Sequence, residues 1–155
     1  MGQSGEIQKL QDGLTTLGGA RAGRSITAAI REHGTAVRFG QTDEDAIAYF
    51  DPGRNEIVIS EGLREASLNV LVQHLAHEGT HTQWMLQWNR SNSIDQEYHA
   101  FKAEAAVWNE LKGNETDEWC DKVSWMISLG EVDAKTIIRR QPAYKNLPEY
   151  AWMRR

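Results

Sequence analysis

A chain of 155 residues with 40% apolar and 25% charged content is long enough for one domain with a real core and too apolar for a disordered tail. Seventeen basic residues against 22 acidic ones leave a net charge of -5 with no Lys/Arg block, which argues against a phosphate-tracking surface and hence a nucleic-acid partner. The single Cys120, the absence of an apolar run near ~20 residues and an N-terminus without a basic-then-apolar order point to a cytoplasmic protein with no membrane partner.

Residues 1–34 read as amphipathic helix interrupted by glycine. One helix is expected over 7–17, a break at Gly18-Gly19, and a second helix over 25–33 with Ser25 as its N-cap. Residues 35–60 change texture. The stretch 36–39 alternates like a strand, and 46–50 and 56–59 are two more. Between these last two, Asp51-Pro52-Gly53-Arg54-Asn55 is turn chemistry, so the pair reads as a β-hairpin in a small antiparallel sheet.

From Ser67 onward the chain reads as helix. Residues 68–88 form one long helix, Ser91-Asn92-Ser93 breaks it, and Ser93 with Gln96 makes a capping box for a helix over 94–111. Gly113-Asn114 ends that helix. Two more are expected over 115–128 and 133–140, inside a C-terminal segment 115–155 whose tail is punctuated by Pro142 and Pro148. Cys120 is expected half-buried beside Trp119. The order of helices, sheet and helices is that of an α+β domain spanning 1–155, with two motif helices in 67–111.

The chemistry centres on His77-Glu78-Gly79-Thr80-His81, an H-E-x-x-H pattern. Histidines four apart stack on one helical face, so both imidazoles reach one ion, and Glu78 is turned to take a proton from a water held there. In projection Leu68, Leu71, Val72, Leu75, Gly79, Thr82 and Leu86 form an apolar stripe, while His74, His77, His81 and Met85 form a second face. Gly79, costly by about 1 kcal/mol in mid-helix, implies close approach of a neighbouring element.

A catalytic zinc takes three protein ligands and leaves a position open. The metzincin continuation would need Gly and His at 84 and 87, where this chain has Trp84 and Gln87. On the following helix Glu97, Ala100, Phe101, Glu104, Trp108 and Leu111 share a face, and carboxylates on an apolar stripe need a partner. Glu97 is the expected ligand. Glu104, deeper in the helix, either orients a ligand histidine or pairs with a base. His74 is a weaker ligand candidate, His99 is expected in solvent, and Trp84, Trp88 and Trp108 are expected to pack the two helices together.

These residues resemble the gluzincin clan of zinc metallopeptidases, in particular its small members. The likeness covers the hairpin Tyr49-Phe50-Asp51-Pro52 to Asn55-Glu56-Ile57-Val58-Ile59, the helix with Leu75-Ala76-His77-Glu78-Gly79-Thr80-His81, and Glu97-Tyr98-His99-Ala100-Phe101. It implies zinc on His77, His81 and Glu97, Glu78 as general base, and hydrolysis of a peptide or protein substrate. The clan's acid one turn past the glutamate ligand is replaced by Phe101, which leaves that role vacant or passes it to Glu104. For the oxyanion stabiliser, Tyr98, Tyr144 and Tyr150 stand equal. Two rivals remain: a latent zinc protein whose tail 141–155 crosses the cleft, and an interaction module with a structural metal.

Overall fold

The computed structural model describes residues 2–43 and 46–150. The chain opens with α1 (Gly2–Gly19) and, after a 3-10 turn at Arg21–Gly23, α2 (Arg24–Glu32). The expected break at Gly18-Gly19 is instead the last turn of α1, and Ser25 lies inside α2, whose N-cap is Gly23. The turn forces this: a Cβ at position 23 would collide with the Leu17 carbonyl, so the glycine needed for the reversal sits at 23.

Three strands follow, β1 (Ala36–Gly40), β2 (Ala48–Asp51) and β3 (Glu56–Ser60). β2 and β3 form the expected hairpin, with Tyr49 opposite Val58. Its turn is closed by Asp51 Oδ1, which accepts from the Gly53 and Arg54 backbone N–H groups, and Asn55 sits at φ 53°. The sheet is mixed, however, and not antiparallel as expected. β1 pairs with β3 in parallel, Val37 opposite Ile57, giving the order β1-β3-β2. Ile57, Val58 and Ile59 are all fully buried, an unbroken apolar run that suits the central strand of a sheet better than an edge.

α3 (Leu68–Thr82) begins at Ser67, whose Oγ accepts the Val70 N–H at 3.2 Å, and every residue from Val70 to Thr82 is buried. The helix packs on α1, α2, α4, β2 and β3 at once, so it needs no solvent face. Past Thr82 the coil widens into a π turn, Gln83–Gln87, closed by the Trp88 N–H on the Gln83 carbonyl at 3.0 Å.

α4 (Ile94–Leu111) has the expected bounds, with Ser93 Oγ accepting the Gln96 N–H at 3.0 Å. α5 (Glu118–Ser128) starts where Asp117 caps the Cys120 N–H at 2.9 Å, and α6 (Glu131–Arg139) follows the turn at Gly130. α4 lies between two apolar clusters. One joins Leu71, Leu75, Ile57, Ile59 and Val107; the other joins Phe101, Met126 and Ile138. Cys120 is not half-buried but fully enclosed with Val70 and Trp108. Among the described residues no helix is long and apolar enough to cross a membrane.

Candidate metal centre

α3 and α4 run antiparallel, because partners advance along α4 as they retreat along α3. Glu97 meets His81, Glu104 meets His77, and the Leu111 carbonyl accepts from Asn69 Nδ2 at 3.3 Å. Gly79 lets α2 close on the back of the motif: a Cβ there would collide with Ile26 and lie 3.0 Å from Ile30. The close approach that the mid-helix glycine implied is therefore α2, and it turns His77 and His81 toward α4.

The two imidazoles are one turn apart, with ring centroids 5.1 Å from each other and planes at 66°. His81 Nε2 lies 2.6 Å from Glu97 Oε1, and His77 Nε2 lies 3.6 Å from the same oxygen. One ligand atom from each of His77, His81 and Glu97 falls within 4.8 Å of the others, and all three residues are buried. Glu97 Oε2 is buried without a hydrogen-bond partner. Two imidazole nitrogens and a carboxylate oxygen, with one buried oxygen unsatisfied, are a donor set that fits a divalent zinc.

The far nitrogens of both rings are anchored. His77 Nδ1 donates to Glu104 Oε1 at 2.8 Å, and Glu104 Oε2 in turn accepts from Trp119 Nε1 at 3.3 Å. His81 Nδ1 donates to Gln96 Oε1 at 2.6 Å, and Gln96 Nε2 donates to the Ser91 carbonyl at 3.0 Å. With both Nδ1 atoms engaged, both Nε2 atoms face Glu97 and are the ones a metal would take in exchange for their protons. That is the ring orientation a metal requires.

Glu78 points to the same cavity, its Oε1 4.0 Å from His77 Nε2, and its carboxylate accepts a backbone hydrogen bond from Phe50. The Ser60 N–H on the Ile47 carbonyl, at 2.8 Å, turns Ile47, Tyr49 and Asp51 toward β3. By antiparallel alternation Ala48 and Phe50 then direct their backbone polar groups to the free edge of β2. That edge, the motif residues and Glu97 enclose a cavity of about 340 Å³.

Three carboxylates and two imidazoles set the electrostatics. Burial opposes protonation of His77, but Glu104, Glu97 and Glu78 outweigh it and hold its pKa well up; Glu97 does the same for His81. Burial would raise Glu97, yet His81 and His77 hold it far below the usual carboxylate range. Burial raises Glu78 against the pull of His77 and His81, and it raises Glu104 against the hydrogen bond to His77. Two protonated imidazoles would bring two positive charges to this cluster. A divalent cation beside two neutral imidazoles brings the same two, so metal can exchange for protons without changing the cluster's charge.

Of the sequence-derived site residues, His77, Glu78, His81 and Glu97 come together, and Glu104 sits behind His77. Tyr144 lines the cavity, its ring 6.1 Å from that of Phe101. Tyr98 and Tyr150 do not. Tyr98 is buried in the cluster beneath α5 and α6, and the exposed Tyr150 lies against Lys135. Tyr98 follows Glu97 on α4 and is turned about 100° from it, which takes its ring out of the metal cavity. His74 lines the cavity, its pKa lowered to about 4 by burial and by His77, but it is not one of the three converging residues. His99 is partly exposed, its side chain 40% accessible to solvent, with the Trp84 ring 5.2 Å away. Trp108 packs the helices together, whereas Trp88 is 45% exposed.

The sequence marks neither Gln96 nor Trp119 as a site residue: Gln96 reads only as a cap, and Trp119 lies on α5, outside the motif helices. No protein-family model, curated protein or solved structure matches the chain.

Proposed function

We propose that this protein is a zinc-dependent metallopeptidase of the gluzincin type, a hydrolase acting on a peptide or protein substrate. The observation that carries the reading is the convergence of His77 Nε2 and His81 Nε2 on Glu97, whose second oxygen is buried and unpartnered. His77, His81 and Glu97 would hold the ion. Zinc bound there supplies Lewis acidity, polarising a carbonyl and drawing the pKa of a water toward ~7.

The chain's own groups do the rest. Burial raises the pKa of Glu78, which suits it to take a proton from water and hand it to the leaving amine. The Phe50 N–H restrains that carboxylate at the cavity wall. Glu104 and Gln96 hold the two imidazoles in orientation through their Nδ1 atoms. An extended peptide can add to the free edge of β2 at Ala48 and at the Phe50 carbonyl, the Phe50 N–H being already taken. Tyr144 is the one oxyanion candidate of the original three on the cavity wall. A buried, unpaired Cys120 fits a reducing, cytoplasmic setting.

A second reading, a latent zinc protein, draws on the tail. Ala143 and Tyr144 wall the cavity, and the segment is pinned by the Ile94 and Asp95 N–H groups on the Pro148 and Glu149 carbonyls, at 2.8 and 3.0 Å. Assay of the zinc-loaded chain on casein-derived peptides separates the two. We expect hydrolysis that falls about 10²–10⁴-fold in Glu78→Gln, with zinc still bound. Full activity in that variant would remove Glu78 as the base, and zinc binding with no turnover would favour latency.

A further inference from the structure

We propose that the apolar groove between α5, α6 and the tail seats a large apolar or aromatic side chain of the peptide substrate. The inference rests on the peptidase reading and adds a substrate class to it.

The groove has a volume of about 730 Å³. Val123 and Met126 of α5 and Ile137 and Ile138 of α6 form its floor. It adjoins the metal cavity, since Ala46, Phe101, Trp119, Ala143 and Tyr144 line both. That adjacency points to the occupant. A group in this groove belongs to a molecule whose other end lies beside His77, Glu78 and Glu97, and a peptide held along β2 is such a molecule.

The chemistry of the walls narrows the class. Among the described lining residues Lys122 is the one cation and Asp43 the one anion, so the groove offers no net charge to a charged side chain. Three rings stand at the junction, with the Phe101 centroid 6.5 Å from that of Trp119 and 6.1 Å from that of Tyr144. Such rings favour edge and offset contacts with another aromatic group. Trp125 at the rim is 55% exposed, apolar surface that a bulky ligand group would cover. Met126 lets the floor adapt to branched or flat groups. A groove of this volume is in the size range of ligand sites, and an alanine side chain would leave nearly all of it unfilled. The junction itself is narrow in chemistry: Ala46 and Ala143 are its small residues, so enlarging either obstructs entry.

The test uses the full-length zinc-loaded chain and its Ala143→Phe variant, chosen because Ala143 is exposed and a larger side chain there does not invade the core. Melting temperatures check that both are folded. Binding of N-acetyl-phenylalanine amide and N-acetyl-alanine amide is read by tryptophan fluorescence in Glu78→Gln protein, and kcat/KM is read on paired peptides differing only by Phe or Ala. We expect Phe to exceed Ala by about tenfold to hundredfold in both readouts, with the ratio collapsing toward one in Ala143→Phe. Trp125→Ala should lower the ratio in the same direction.

Equal handling of the two probes, or a ratio untouched by Ala143→Phe, overturns the groove assignment and leaves the peptidase reading standing. Phe-selective binding without any hydrolysis supports the groove and overturns the peptidase reading. A dimer in sedimentation that Trp125→Ala dissolves gives the groove to a second copy and overturns the proposal.

Discussion

The seam between α3 and α4 has two ends that are equally buried and oppositely built. At one end Trp108 is fully enclosed with Val70 and Cys120, and its indole N–H donates to Asp121 Oδ1 at 2.9 Å. At the other end His77, His81, Glu78, Glu97 and Glu104 are buried together, and one carboxylate oxygen has no partner. The same two helices serve both ends, so backbone geometry does not account for the difference. The apolar end stabilises the pair through area removed from water. The polar end carries the cost of desolvating three carboxylates, which packing does not return and which a bound cation would offset. The chain keeps stability and chemistry on one seam by separating them along it.

Cutting the apolar end should have the largest effect on stability. Trp108→Ala is expected to lower unfolding free energy by about 3–5 kcal/mol in denaturant titration, while folded protein still takes up zinc. A loss under about 1 kcal/mol would mean that the charged end holds the helices together. A smaller change is expected at the polar end. Glu104→Gln removes a charge but keeps an acceptor for His77, and it should weaken zinc affinity by about 10–100-fold with little loss of apo stability. Unchanged affinity in a competition titration would show that His77 is held without Glu104.

The two ends were not equally legible in the sequence. The polar end announced itself, because i, i+4 histidines and two carboxylates on an apolar stripe have few structural explanations. Antiparallel pairing then puts Glu104, seven residues past Glu97 on the same face, opposite His77. Gln96 was hidden by a local rule. Its position fits a capping box, but the Ser93 N–H that it would satisfy is taken by Asn92 Oδ1 at 2.8 Å, which frees its side chain for His81. The α+β order and the hairpin were readable from periodicity and turn chemistry, whereas the parallel pairing of β1 with β3 was not. That pairing joins segments separated by a hairpin strand, and no local pattern encodes it. Tyr98 and Tyr150 misled for a similar reason, since which tyrosine reaches the cavity depends on where α5, α6 and the tail fold back.

Zinc stoichiometry reaches the central claim most directly. Equilibrium dialysis of the full chain against zinc, followed by metal analysis, should give one ion per chain, with binding lost in His81→Ala and in Glu97→Ala but retained in Glu78→Gln. A chain that takes up no zinc, or one that binds it undiminished after both ligand substitutions, would contradict the account.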